Sequence, residues 1–426
     1  MKELLLRVEN WLIRALAVTF GCLTLSGIVV HAQTLPVCVY GNTNQVPCTV
    51  GDAIVLVSDP SGVFAGSIAE KSGEGGINSD SLHPGLFTGN IVESGSSGSV
   101  SRSGSMTLAT LSGLPTIVGV SVSMSCGVTG AATANLSLSA GSGSPVVLTC
   151  PKFFTRSGTS LVTASTTFTA VNSVTLNLTL SGSVPSTSDT LTWTNISAQL
   201  SLTPSYFFSH LAFGGGFQTT LTYLNYSPQA VNCKTTFLSD SGDALSVPFA
   251  DGTASSRTDN LEPGASIHVQ TKAAANESGS GWAHAQCTGP IKASLLYRYY
   301  SSGTPQGEAG VNAMVAPARE FATFAETHTG VAWANPTTMP AVVTITALDA
   351  STGASKGSTT FNLAAQAHGA ANIGPLLKLA NTFTGSIHIS STVPIVSLSL
   401  NAEAFPVFSS MPPGDLSDGT AMSSPH

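Results

Sequence analysis

Residues 211–225, Leu-Ala-Phe-Gly-Gly-Gly-Phe-Gln-Thr-Thr-Leu-Thr-Tyr-Leu-Asn, decide how the rest of this 426-residue chain is read. Three glycines end one run and open another, in which Leu221 and Tyr223 alternate with threonine until Asn225 closes it. Alternation between turn residues predicts a half-buried antiparallel strand. The pattern then returns. Thr-Leu-Thr-Tyr-Leu-Asn-Tyr-Ser (220–227) aligns with Gly-Val-Ala-Trp-Ala-Asn-Pro-Thr (330–337), so that Val331, Trp333 and Asn335 repeat Leu221, Tyr223 and Asn225. Thr-Thr-Phe-Leu-Ser-Asp-Ser-Gly (235–242) aligns with Ile-Thr-Ala-Leu-Asp-Ala-Ser-Thr-Gly (345–353), each a strand running into a glycine-closed turn. The closing segments agree best. Gly281-Trp-Ala-His284 and Cys287-Thr-Gly-Pro290-Ile291 match Gly385-Ser-Ile-His388 and Ser391-Thr-Val-Pro394-Ile395. An internal period of this length signals tandem modules.

The repeat also tests the cysteines. Cys233 and Cys287 align with Val343 and Ser391, so the second copy lacks both together. Joint loss is what a bonded pair predicts, because an orphan thiol in an oxidising compartment is a liability. Cys38 with Cys48 and Cys126 with Cys150 are the other neighbours in sequence, which predicts three local bridges. No Cys-x-x-Cys and no metal-finger spacing occurs, so zinc and thiol-redox chemistry are not indicated.

The combination of Phe-Gly-Gly-Gly-Phe-Gln-Thr-Thr-Leu (213–221), Phe-Leu-Ser-Asp-Ser-Gly-Asp-Ala-Leu-Ser-Val-Pro-Phe (237–249) and Leu-Glu-Pro-Gly-Ala-Ser (261–266) resembles a tandem β-sandwich module at the C-terminal end of secreted or surface bacterial proteins of uncharacterised function. The resemblance covers residues 205–410. The second copy departs from it: it has no Gly-Gly-Gly, and Ala365-Gln366-Ala367 stands where Pro-Gly is expected. The resemblance implies a fold and a location and brings no catalytic residue. Two shorter stretches carry fainter likenesses. His-Pro-Gly-Leu-Phe-Thr-Gly-Asn-Ile (83–91) is similar to a strand of immunoglobulin-like repeats in bacterial surface proteins, and Asp-Thr-Leu-Thr-Trp-Thr-Asn-Ile-Ser-Ala (189–198) to the last strand of jelly-roll carbohydrate-binding modules.

Composition points the same way. Charged residues are 9% of the chain and apolar residues 42%, with 42 glycines and 23 prolines. Such a chain has enough apolar content to fold and is punctuated for short strands. Its length calls for two to four domains. The expectation is an all-β protein of several β-sandwich domains, immunoglobulin-like or jelly-roll, in tandem. They comprise an N-terminal region 33–204 (one domain, or two split near a Ser/Gly-rich loop at 94–105), a first repeat 205–318, a second repeat 319–411 and a flexible tail 412–426. Strands are predicted in the N-terminal region at 52–58, 62–69, 86–93, 106–111, 116–125, 134–139, 146–149, 160–169, 173–181 and 190–202. In the first repeat they fall at 218–225, 232–238, 246–249, 266–271, 281–288 and 291–300. A short helix is expected over 374–381, with Pro375 in its first turn.

Residues 1–32 read as a secretory signal: Lys2, Arg7 and Arg14 precede the apolar run 15–30, and Val30-His31-Ala32 offers small residues for cleavage. A retained anchor is the alternative. No later segment is long and apolar enough to span a bilayer, so no membrane span is expected in the mature chain. Removing 1–32, where Lys2, Arg7 and Arg14 face Glu3 and Glu9, takes the net charge from −7 to −8. With no basic patch, nucleic acid is not expected as a partner.

Chemical motifs are few. Gly141-Ser-Gly-Ser-Pro-Val lies between strand-like runs and opens no helix, so it reads as a hairpin turn and not as a phosphate cradle. His284 and His388 match across the repeats, in strands facing solvent or a polar seam. Asp240-Ser-Gly-Asp243 reads as an Asx-type turn before it reads as a calcium site. Glu70, Glu74 and Glu93 have no motif to select them as a glycosidase pair, and no Gly-x-Ser-x-Gly elbow exists. Trp193, Tyr297 and Tyr299 are the candidates for stacking on a sugar, the two tyrosines sharing one strand face. No cofactor is called for. The expected function is a non-enzymatic secreted or cell-surface protein whose modules serve structural display, adhesion or assembly. Its partner would be an extracellular glycan or a surface protein. The alternative is an extracellular carbohydrate-binding protein or an accessory module of polysaccharide processing.

Overall fold

The computed structural model describes residues 98–416, apart from 142, 154–159, 185–189 and 274–277, together with 48–49, 54–58, 75–77, 81–83 and 86–94. The predicted signal, the strand 62–69, Cys38, Glu70 and Glu74 lie outside the described residues, as do the side chains of Cys48 and Trp193. The fold is all-β, a series of β-sandwiches.

Among the described residues the N-terminal region has the strands Cys48–Thr49 (β1), Ile54–Ser58 (β2), Gly75–Ile77 (β3), Ser81–His83 (β4), Leu86–Ser94 (β5), Gly98–Thr110 (β6), Ile117–Thr129 (β7), Thr133–Ala140 (β8), Val146–Thr149 (β9), Lys152–Phe153 (β10), Ser160–Val171 (β11), Ser173–Val184 (β12) and Thr190–Leu202 (β13). One sheet runs β1-β2-β6-β12-β8-β9. The other runs β10-β7-β13-β5-β3, with β11 also on β7 and β4 on β5. Burial in β8 alternates strictly, with Ala134, Leu136, Leu138 and Ala140 turned inward. The bridge Cys126–Cys150 ties β7 of one sheet to the end of β9 in the other. The predicted loop 94–105 is corrected. Strand β6 begins at Gly98 and pairs with β12 along its whole length, because a ladder is made by main-chain groups and a Ser/Gly-rich run beside a long partner still pairs. Strands before and after that point share both sheets, so the sheets do not divide there.

The first repeat contains Ser205–Phe213 (β14), Phe217–Leu224 (β15), Val231–Ser239 (β16), Val247–Phe249 (β17), Gly252–Ala254 (β18), Ser256–Leu261 (β19), Ser266–Gln270 (β20), Gly279–Cys287 (β21), Lys292–Ser301 (β22) and Thr304–Asn312 (β23). Its sandwich has the sheets β14-β21-β16-β19 and β20-β15-β22-β23. The second contains Ala318–Glu326 (β24), Thr329–Ala334 (β25), Ala341–Asp349 (β26), Ser355–Leu363 (β27), His368–Asn372 (β28), the helix Ile373–Leu377 (α1), Thr384–Asn401 (β29), Ser409–Ser410 (β30) and Gly414–Asp415 (β31). Strand β29 serves both sheets. Its first part lies between β24 and β26, with β27 beyond, and its second part pairs with β25 and β30, with β28 beyond. The strand order of the first repeat is therefore reproduced, with β29 doing the work of β21 and β22.

Register confirms the alignment read from sequence. Cys233 sits opposite Cys287 and Val343 opposite Ser391, while Thr236 faces His284 and Thr346 faces His388. The Cys233–Cys287 bridge joins directly opposed residues of neighbouring strands. Gly281 and Gly385 are the same position for the same reason. A Cβ there would lie 2.1 Å from the Leu238 carbonyl oxygen in the first copy and 1.9 Å from that of Leu348 in the second. Asn225 and Asn335 are fully buried plugs. The Asn335 amide donates to the Met339 and Ala364 carbonyls at 2.7 and 2.9 Å, and its oxygen accepts from the Thr337 amide and hydroxyl. Asn225 does the same with Gln229, Leu261 and Ser227.

The helix is shorter than expected, capped by Asn372 accepting from Gly374 and ended by Lys378 in the left-handed region. The predicted tail 412–426 is corrected at its start, since β31 pairs with β24 and so extends the sheet, while 417–426 lie outside the described residues. Leu111 and Leu114, in the turn between β6 and β7, pack on Met339, and the Thr338 amide donates to the Ser112 carbonyl at 3.0 Å. This places the N-terminal sandwich on the second repeat.

Candidate functional site at the seam between the repeats

Strand β14 shows no alternation: Ser205 to Ser209 are all buried. Tyr206 and Phe208 enter the core of the first sandwich, whereas Phe207 belongs to a second cluster with Leu238, Trp282, Ala334 and Val396, the last two from the second repeat. The sheet β14-β21-β16-β19 thus has apolar residues on both faces, and its outer face is covered by β25, β28 and the second part of β29. An isolated bridge between Phe207 and Met314, with bonds of 2.8 and 2.9 Å, pins the connection between the repeats to β14.

Both faces of this seam diverge between the copies in complementary fashion. Phe207 and Trp282 of the first sheet occupy positions held by Ala322 and Ser386 in the second copy, as their pairing with the aligned histidines and with Leu238 or Leu348 shows. On the receiving sheet, Ala332, Ala334, Val396 and Leu398 stand where the first copy has Thr222, Leu224, Lys292 and Ser294. Each copy carries apolar residues on the face it buries. On the free outer face of the second copy, hydroxyls bond to one another instead, Thr344 with Thr360 and Thr346 with Ser358.

Polar groups cross the seam in a chain. Asp240, in the turn after β16, accepts from His368 Nδ1 at 2.8 Å, and the His368 amide donates to the Asp240 carbonyl at 3.2 Å. His368 Nε2 faces His210 Nδ1 at 3.1 Å, with the two rings stacked at 5.1 Å between centroids. The Tyr297 hydroxyl donates to the His210 carbonyl at 2.6 Å. The turn that carries Asp240 fits closely against the second repeat, since a Cβ on Gly242 would lie 2.7 Å from the Ala365 carbonyl oxygen, and φ there is +90°. Nearby, Trp282 Nε1 donates to the Gln366 carbonyl at 2.8 Å.

The electrostatics follow from burial. Desolvation, aided by the neighbouring His368 and opposed by Asp240, holds His210 down at about 3. His284 stacks on Phe207 at 4.4 Å, and desolvation lowers it to about 4. Its buried Nε2 has no hydrogen-bond partner among the described residues. The matched His388, on the free face, lies 3.9 Å from Glu320. The two histidines are equivalent in register and opposite in environment.

The residues singled out from sequence fall as follows. Cys126, Cys150, Cys233 and Cys287 form two of the three predicted bridges, and the third, Cys38 with Cys48, lies outside the described residues. Tyr297 is corrected as a stacking candidate: it is 2% exposed, in the core of the first sandwich, and burial pushes its hydroxyl well above its usual range. Tyr299 shares that face and is half-buried between Phe217 and Phe405, at 5.0 Å from each. Asp240 and Asp243 do not converge. The first turns to His368 and Ser280, and the second accepts from Ser241. Among the described residues no group of three or more His, Cys, Asp or Glu could hold a metal ion, and no helix is long and apolar enough to cross a membrane. The chain formed by His210, Asp240 and His368 has no local motif. The one sequence signal for the seam is a comparison of Phe207 and Trp282 with Ala322 and Ser386.

No family model matches this chain, and no curated protein does.

Proposed function

We propose that this chain is a non-enzymatic protein of the cell exterior, whose sandwiches act as a rigid mount for structural display, adhesion or assembly. The observation that carries the reading is the seam: two repeats of one fold, joined through a buried face that has diverged to fit only that junction. Terminal units of a repeat array need polar outer faces to stay soluble, and on the faces left free here Ala322, Ser386, Thr222 and Lys292 stand at positions of the apolar seam residues, with Leu224 and Phe324 the large apolar side chains still exposed. The resemblance of residues 205–410 to modules of secreted and surface proteins supports the same reading, as do two disulfides, which persist in oxidising compartments. The test is hydrolysis of glycans, peptides and esters by the purified full chain. The reading requires none above background, and turnover abolished by one point substitution would defeat it.

A second reading, glycan binding, has one observation in its favour. Tyr226 is 57% exposed beside the exposed Leu224, with the Lys292 ammonium 5.9 Å above its ring. A glycan array on which Tyr226→Ala changes nothing removes it.

A further inference from the structure

The chain Asp240–His368–His210 has a property that an apolar seam lacks, which is a fixed proton capacity. His368 Nδ1 donates to the Asp240 carboxylate, so its Nε2 and His210 Nδ1 must share whatever lies between them. At 3.1 Å only one proton fits between two facing nitrogens. With both rings neutral, His210 donates and His368 accepts. One further proton is accommodated on His210 Nε2. A second would place two hydrogens nose to nose and break the bond between the rings. Separated and solvated, the two imidazoles together take up two.

The elements packed around the chain do not relieve this. Tyr297 from β22 donates its hydroxyl to the His210 carbonyl, and burial keeps it protonated. His284 from β21 is another buried base on the same seam, so its charging adds to the repulsion. Strands β25 and β29 contribute Ala334 and Val396, which carry no charge. Asp240 alone opposes the protons, and its side chain is 61% exposed, so it is screened by solvent on one side and open to proton exchange.

We propose that this chain of residues is a proton-sensitive latch between the two C-terminal sandwiches: on acidification the parted pair of imidazoles takes up one proton more than the facing pair has room for, the bond between the rings is lost, and the repeats part while each keeps its own sheets. The driving force is the difference in proton uptake between closed and open seam. Ala332, Leu398 and Phe408 of the second repeat close the core of the first sandwich, but each sheet is built from strands of one repeat alone, the first repeat has its own disulfide, and the second has the core built around Trp333, Ile345 and Ile389, so the strand pairing does not run through the seam.

Fluorine NMR of the full chain labelled with fluorotryptophan tests this, because Trp282 lies in the seam and Trp333 in the core of the second sandwich. Lowering the pH from neutrality is expected to move the Trp282 resonance to its solvent-exposed position while that of Trp333 holds. The opening constant should rise about tenfold per pH unit for each proton taken up. In His210→Asn that slope should fall by one proton, whereas a seam merely loosened by the substitution would shift the midpoint and keep the slope. Trp282 and Trp333 moving together, or a wild-type seam indifferent to pH until global unfolding, would overturn the latch. Either result is decided on the wild-type protein, whether or not the variant folds.

Discussion

Gly385→Ala puts the strand pairing of the second repeat to a sharp test. The added Cβ would stand 1.9 Å from the Leu348 carbonyl oxygen and 3.0 Å from the ring of Phe383. Ordinary contact begins near 3.4 Å, so strand and partner must separate by roughly 1.5 Å where Gly385 faces Asp349. No rotamer change absorbs this, because the obstructing atom is backbone. The displacement strains a packed neighbour, at about 1–3 kcal/mol, and loosens at least one ladder hydrogen bond, at about 1 kcal/mol. The expected loss is therefore about 3 kcal/mol. Gly330→Ala serves as the control, since its nearest neighbour is the Leu400 oxygen at 3.8 Å. There the smaller entropy of the unfolded chain should leave stability unchanged or raised by up to about 1 kcal/mol.

The assay is urea unfolding of the oxidised full chain followed by the fluorescence of Trp333, which reports the second sandwich, in a background with Trp11, Trp193 and Trp282 replaced by Phe. Its midpoint should drop clearly for Gly385→Ala and hold for Gly330→Ala. If the two variants unfold within about 0.5 kcal/mol of each other, the close approach of β29 to β26 is not what selects glycine there, and the shared explanation for Gly281 falls too.

Three further outcomes follow from the same structure. Asn335→Ala strips donors from the Met339 and Ala364 carbonyls and an acceptor from Thr337, so a loss of about 2–4 kcal/mol is expected by chemical denaturation, and Asn225→Ala should match it. Replacing Cys233 and Cys287 together by Ala opens a loop with a sequence separation of 54, which should cost about 4 kcal/mol in thermal unfolding, against about 3.5 kcal/mol for Cys126 with Cys150 at a separation of 24. His284 is lowered from 6.5 to about 4 in the fold, so the unfolded chain binds its proton first; stability is full above pH 6.5 and falls by up to ~3 kcal/mol as the pH drops towards 4. His284→Phe should remove that part of the acid slope in denaturation curves taken across this window.

Much of the strand map was legible because one face of most strands is wet. Val146–Thr149 and Thr190–Leu202 match their predicted bounds, and β16 and β26 show the expected alternation. Where both faces are covered the signal vanishes. Tyr-Phe-Phe-Ser-His of β14 has no period of two, because Tyr206 and Phe208 feed the core and Phe207 feeds the seam. Tyr297 shows the limit of face assignment. A face shared with Tyr299 is compatible with ligand stacking and with core packing alike; here it is the sandwich interior, and the polar hydroxyl is satisfied by the His210 carbonyl. The chain of Asp240, His368 and His210 was invisible for a different reason. Its members lie 128 and 158 residues apart, so no spacing rule reaches them.

Decay of the repeat, which makes the second copy hard to align, is itself explained by the seam. Two identical sandwiches would each present one outer face to dock and one to receive, and such a head-to-tail surface closes only if something stops it. In this chain the unused copies of both faces are less apolar at the contact positions: Ala322 and Ser386 stand for Phe207 and Trp282 on one side, and Thr222 and Lys292 for Ala332 and Val396 on the other, although Phe324 and Leu224 stay exposed there. Among the residues that stayed alike, Gly281 with Gly385 and Asn225 with Asn335 face inward in both copies and hold the chain's own backbone, while His284 and His388 share an outward position and differ in what covers it. The outer faces part company at Phe207, Trp282, Ala334 and Val396 because a single junction needs one docking face and one receiving face, so each of these positions meets a partner in one copy and solvent in the other.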